Sequence, residues 1–198
     1  DSTFSTYQTD SELMSLNRTP VGETMSLSQP MLRVLGISDQ VFQLTGGAFD
    51  PTVGPLVNLW GFGPDPSQDK VPELSKIRAQ LNRIGFGKLA VDHGAASARR
   101  TADIQLDLSA VAKGFAVDVV AELLASQGLV NYLVEVGGEL RTNGLKANGQ
   151  PWRIAIESPT LERREVQQAL ALGNAAIATS GDYRNYFERG GKRYSHTI

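Results

Sequence analysis

The spacing of apolar residues changes period along this chain, and that change limits the architectures open to it. Helical spacing dominates the first part, whereas short alternating runs dominate the last part. Thr9 followed by Glu12 is a capping-box pattern that opens a short helix through Leu13, Met14 and Leu16. Ser28 with Pro30 opens a second, in which Val34, Leu35, Ile37, Val41, Phe42 and Leu44 suit one face. Gly36 weakens that helix and Gly46-Gly47 ends it. Leu74, Ile77, Leu81 and Ile84 mark a third, stopped at Gly85. Between these helices, residues 49–71 lose all periodicity and read as a long Gly- and Pro-rich loop, of a kind more often functional than idle.

Residues 88–92 and 97–102 flank His93-Gly94 as a hairpin. Ile104, Leu106 and Leu108 alternate with Gln105 and Asp107, which predicts a half-buried strand running into Ser109, the N-cap of a helix over 110–127. That helix carries Val111, Phe115, Val119, Leu123 and Leu124 and stops at Gly128. Strands are predicted at 132–136, 140–142, 152–157 and 168–172, and Gly190-Gly191 is a turn signal for one more pair. Helices first and strands afterwards point to an α+β fold, taken as one domain with two lobes. No internal repeat or low-complexity tract stands out.

Composition narrows function mainly by exclusion. With 19 basic against 21 acidic side chains in 198 residues, there is no electrostatic footprint for nucleic acid, so an anionic ligand must be gripped locally. Cysteine is absent, which excludes disulfides, thiolate metal sites and a cysteine nucleophile. No stretch approaches the roughly 20 apolar residues that span a bilayer. Asp1 leads directly into a polar stretch without a signal peptide, and the chain ends at Ile198 without a polar tail, so it reads as truncated at both ends.

Three constellations can carry chemistry. The first is Asp107-Leu108-Ser109-Ala110-Val111-Ala112-Lys113-Gly114, where a helix N-terminus with free N–H groups and a positive dipole end suits phosphate. Its plainer reading is a strand end, a cap and a surface lysine. The second is Thr45 to Thr52 with Trp60-Gly61-Phe62, where Asp50 suits a heterocycle or ribose and the aromatics wall a flat ring. A helix end, an Asp-Pro turn and core aromatics explain the same residues. The third is the C-terminal run, where His196 is a proton acceptor or donor near neutral pH and Asp182 or Ser180 is placed to orient it or to bind phosphate oxygen. A packed or solvated histidine is the competing reading.

Together these stretches resemble the ApbE family of flavin transferases. The resemblance lies in Phe4-Ser5-Thr6-Tyr7 with Ser11-Glu12-Leu13, in residues 46–56, in Trp60-Gly61-Phe62 and in residues 107–114. It continues in Val136-Gly137-Gly138-Glu139 and in Thr179-Ser180-Gly181-Asp182-Tyr183 through Ser195-His196. The blocks occur in family order across nearly the whole chain. The resemblance implies an ApbE-like two-lobed fold with a half resembling the tunnelling fold. It also implies an enzyme that takes FAD as substrate, uses Mg2+, transfers FMN to a threonine hydroxyl of an acceptor protein and releases AMP. Acceptors in the family are membrane redox subunits, and the implied location is the periplasm, often with an N-terminal lipid anchor. By resemblance, Ser5, Thr6, Tyr7 and Asp50 lie against FAD, Lys113 sits near it, and the Ala110 carbonyl faces the metal. Thr179, Ser180, His196 and Ile198 fall beside the flavin or pyrophosphate, with His196 as catalytic base. The family's Thr-Met-Gly motif before residue 1 is absent here, as are an Asp-Pro pair and the acidic metal motif expected after Ile198. Two other readings stay open: a FAD-binding protein without transfer activity, and a Mg-dependent FAD pyrophosphatase that yields FMN and AMP.

Overall fold

Serine side chains set where the first two helices begin. The computed structural model describes residues 2–64, 71–159, 166–182 and 185–197. Helix α1 (Glu12–Arg18) is capped by Ser11, whose Oγ accepts the Met14 N–H, so the cap lies two residues past the expected Thr9. Glu12 does not close a capping box. Its carboxylate reaches forward to the Ser28 N–H and hydroxyl, each at 2.6 Å, and so ties the start of one helix to the start of the next. After the three-residue strand β1 (Thr24–Ser26), Ser28 caps α2 (Gln29–Leu44) with a proline in its first turn, as expected. Met31, Leu32, Val34 and Leu35 form its buried face, while Leu44 is 87% exposed and stands outside the expected apolar stripe.

The stretch expected to be a loop holds a six-residue helix, α3 (Gly54–Leu59), started by Pro55. Pro at the first turn costs no hydrogen bond, because the N–H it lacks would have no intrahelical partner. Helix α4 (Leu74–Leu81) matches its predicted position but buries none of its residues, so its spacing does not mark a core face. A short 3-10 turn (Phe86–Lys88) leads into β2 (Leu89–Asp92) and β3 (Ser97–Arg100), the hairpin foreseen around His93-Gly94. Strand β1 pairs antiparallel with β3, giving the order β1-β3-β2.

Residues 104–108 correct the sequence reading. Ile104, Leu106 and Leu108 are each at most 1% exposed, as alternation required, yet among the described residues no strand pairs with them. The Asn17 side chain replaces a neighbouring strand, donating to the Leu106 carbonyl at 2.9 Å and accepting the Leu106 N–H at 2.8 Å. The buried Arg100 adds a bond to the Ile104 carbonyl at 2.7 Å and another to the Thr19 carbonyl. Helix α5 (Ser109–Ser126) then starts at Ser109 itself, and Asp107 Oδ1 accepts the Ser109 N–H at 2.9 Å.

The chain divides into two compact units, Asp1–Ala112 with Phe187–His196, and Lys113–Tyr186. In the second, α5 packs Val117 and Ala121 with Tyr132 and Val134, and Leu124 and Val136 flank that cluster. Val119 and Leu123, two of the apolar residues noted along this helix, are among its exposed side chains. Strands β4 (Tyr132–Val136), β5 (Glu139–Asn143) and β8 (Ala175–Ile177) form one antiparallel sheet, and β6 (Trp152–Glu157) with β7 (Val166–Leu172) forms another. Asp118 and Arg141 pair at 2.8 Å, and that hydrogen bond raises the guanidinium pKa above its ordinary value. A hairpin of β9 (Tyr186–Arg189) and β10 (Lys192–Ser195) ends the described chain. Mixed helices and antiparallel sheets make this an α+β fold, as the sequence implied.

Candidate functional site

The terminal hairpin supplies a concentration of aromatic contacts in the first unit. Tyr194 stacks on Trp60 with ring centroids 5.4 Å apart, and Phe187 stacks on Tyr194 at 5.3 Å and on Phe62 at 5.7 Å. His196 meets the edge of Phe62 at 6.4 Å and remains exposed. Trp60-Gly61-Phe62 and the hairpin therefore share one apolar platform, with the imidazole at its rim. The sequence reading placed these aromatics beside a flat ring or in the core. What it could not supply was their partnership across more than a hundred residues.

Asp50 sits at the hub of a second network. Its Oδ1 accepts the Thr52 N–H at 2.8 Å and the Thr52 hydroxyl at 2.6 Å, while Oδ2 accepts the Phe86 N–H at 3.1 Å. The fully buried Thr52 in turn accepts the Gly85 N–H at 2.7 Å. This turn is tied to the start of α5 through the Asp107 N–H, which donates to the Pro51 carbonyl at 2.7 Å. Residues 50–54 and 105–110 thus stand together.

Ser5 organises the N-terminal turn. Its hydroxyl accepts the Tyr7 and Gln8 N–H groups, both at 3.1 Å, and its carbonyl accepts the Ser11 hydroxyl at 2.7 Å. Thr6 is half-buried at this turn, and Tyr7 projects with 72% of its surface exposed. Ala110 is exposed in the first turn of α5.

In the second unit, Lys113 Nζ lies 2.7 Å from Glu139 Oε1 and donates to the Gly137 carbonyl at 3.4 Å. Gly137 and Gly138 have φ of 60° and 97° and join β4 to β5 by the tight turn that positive φ allows. Thr179 and Ser180 are exposed after β8. Of the candidates, Ser5, Thr6, Tyr7, Asp50, Ala110 and His196 belong to the first unit, and Lys113, Thr179 and Ser180 to the second. Ile198 lies outside the described residues. Glu139 closes the Val136-Gly137-Gly138-Glu139 block that carries part of the family resemblance, but the sequence assigns it no role.

A magnesium site requires several oxygen ligands, with carboxylates usually among them. Among the described residues no group of three or more His, Cys, Asp or Glu stands together to hold a metal ion. The residues described do not by themselves form such a site. No helix among them is long and apolar enough to cross a membrane.

The sequence profile of the ApbE family matches residues 1–198. Over 195 residues, 98% of the chain, it is 48% identical to the FAD:protein FMN transferase of Vibrio cholerae. Identity to the protein of the same name in Escherichia coli K12 is 40% over 201 residues. The chain spans 58% and 57% of the lengths of these two curated relatives. In three dimensions it is similar to the apo form of the Pseudomonas stutzeri flavinyl transferase ApbE, with a TM-score of 0.88 and 40% identity, covering all of this chain and 61% of that one. Its similarity to the flavin transferase ApbE from Vibrio cholerae has a TM-score of 0.87 at 46% identity, over all of this chain and 62% of that one.

Proposed function

Because the chain belongs to the ApbE family, we propose that the protein it represents is a FAD:protein FMN transferase. In the reaction, the hydroxyl oxygen of an acceptor threonine attacks the phosphorus of the FMN half of FAD. The bond from that phosphorus to the bridging oxygen breaks, AMP leaves with that oxygen, and the threonine proton passes to the His196 imidazole. A neutral hydroxyl is a poor nucleophile, so proton removal and an in-line approach are what the protein must supply. The observation that carries the reading is the position of His196, exposed at the rim of the stack formed by Trp60, Phe62, Phe187 and Tyr194.

Ser5, Thr6, Tyr7, Asp50, Lys113, Thr179, Ser180 and Ile198 are the proposed FAD contacts. For Asp50 the internal bonds sharpen the role. A carboxylate offers about four lone-pair positions, and three are taken by Thr52 and Phe86, so Asp50 mainly shapes the turn and has little capacity left for a ligand. Mg2+ remains part of the proposal for the whole protein, with the Ala110 carbonyl as a ligand, and its support is the family resemblance. When bound, the cation would offset charge on the pyrophosphate. A membrane redox subunit as acceptor, and a lipid-anchored location in the periplasm, rest on the same resemblance. A cytoplasmic distribution on cell fractionation would remove that location.

The test is mass spectrometry of a purified acceptor domain after incubation with the full-length protein, FAD and Mg2+. The expected product is heavier by one FMN and is lost on chelation of the metal. His196→Ala is expected to slow transfer by about 10²–10⁴-fold while leaving flavin bound. Wild-type rates from His196→Ala would refute the assigned base. FMN and AMP without an adduct would identify a pyrophosphatase, and bound flavin without AMP a non-transferring carrier.

A further inference from the structure

We propose that Glu139 is a positioning residue that clamps Lys113 as a fixed hydrogen-bond donor for the flavin dinucleotide, an inference that rests on the transferase reading above. Three features of the second unit support it. Lys113 Nζ is 2.7 Å from Glu139 Oε1, and the same ammonium donates to the Gly137 carbonyl at 3.4 Å. The stem of Lys113 runs directly over Gly137, where an added Cβ would meet Lys113 Cδ at 3.0 Å. The Glu139 side chain is only 15% exposed, and its second oxygen, Oε2, is buried without a hydrogen-bond partner among the described residues.

The last feature turns a surface ion pair into a clamp. An exposed lysine and glutamate exchange partners with water freely, and their pairing means little. A carboxylate with one buried, unpartnered oxygen has no such freedom, because losing the ammonium would leave its charge desolvated and uncompensated. Lys113 is therefore held even though 49% of its own side chain is exposed. Lysine is ordinarily a mobile point charge on a flexible stem. Here the stem is fixed at its root by α5 and at its tip by the β4-β5 turn, so its ordering precedes ligand arrival, which is preorganisation.

The remaining donor capacity defines what the clamp recognises. An ammonium has three N–H groups. One is directed to Glu139 and one to Gly137, which leaves one for an outside acceptor. The carboxylate beside it offsets most of the positive charge, so the pair contributes direction more than field. Its ligand chemistry is an oxygen acceptor of the bound dinucleotide.

A mutant cycle in the full-length protein tests this, read by quenching of flavin fluorescence as FAD binds. Lys113→Ala and Glu139→Ala are each expected to weaken FAD binding about tenfold, equivalent to 1.4 kcal/mol. The double variant is expected to bind no more weakly than Lys113→Ala alone, because Glu139 acts through Lys113. Glu139→Gln, which keeps the shape and an acceptor, should lose less than Glu139→Ala. It also carries the same cycle if the alanine variant does not fold. Normal FAD binding by Glu139→Ala beside a weakened Lys113→Ala, or losses that add in the double variant, would overturn the clamp. Absence of FAD binding in the wild type would overturn the transferase reading and this inference with it.

Discussion

Asp50 is hydrogen-bonded three times within the protein, to two groups of Thr52 and to the backbone of Phe86, 36 residues further on. Hydrogen bonds to a charged group contribute more than neutral ones, and removing the acceptor leaves donors unsatisfied in a partly buried turn. Asp50→Ala is therefore expected to destabilise the protein by about 2–3 kcal/mol, measured by urea denaturation without flavin. A midpoint equal to wild type would mean that Asp50 serves a ligand and not the turn. The Asp-Pro sequence made a turn legible, and it marked Asp50 as a polar group inside an apolar stretch. It could not reveal Phe86 as a partner, because that bond depends on where Gly85 delivers the chain after α4. Glu139 was hidden for the same reason. Only the approach of the Lys113 stem to the β4-β5 turn gives it a task, and residues 113 and 139 are far apart along the chain.

Among the elements, the extended segment 104–108 separates what periodicity reports from what it does not. Alternation correctly identified Ile104, Leu106 and Leu108 as buried, since side-chain direction depends on extended backbone alone. A strand also needs a neighbour, and here that place is taken by one amide side chain. Asn17→Ala removes both bonds to Leu106 and leaves a buried N–H and carbonyl without those partners, at an expected cost of about 2–4 kcal/mol. Thermal unfolding at a wild-type temperature would refute that role. Hairpin β4-β5 lay close to its expected limits, because Gly137-Gly138 sits between two alternating runs. Strands β1 and β8 were missed, as three residues are too few to show a period. In α5 the apolar positions are spread around the helix, so the sequence named Val111, Phe115, Val119, Leu123 and Leu124 without showing that Val117 and Ala121 are the buried ones.

For the molecule as a whole, each unit has its own buried residues. The first centres on Leu13, Leu16, Met31, Leu35 and residues 104–108, and the second on the smaller cluster of Val117, Ala121, Tyr132 and Val134. The two tryptophans are divided between them, Trp60 in the first unit and Trp152 in the second. Trp152→Phe leaves Trp60 to report the first unit, and Trp60→Phe leaves Trp152 to report the second. Unfolding followed by fluorescence is expected to show the Trp152 signal changing at lower denaturant, because fewer of the described buried hydrophobic residues belong to the second unit. Coincident transitions would show one cooperative structure. The sequence made the α+β class readable, but the return of residues 187–196 to the first unit had no local signature. That return has a consequence for biosynthesis. A ribosome finishes the entire second unit before it makes Tyr194, so Trp60 and Phe62 wait without their stacking partners while more than a hundred residues are added. Until the β9-β10 hairpin emerges, the nascent protein displays a sticky aromatic surface of the kind that chaperones shield.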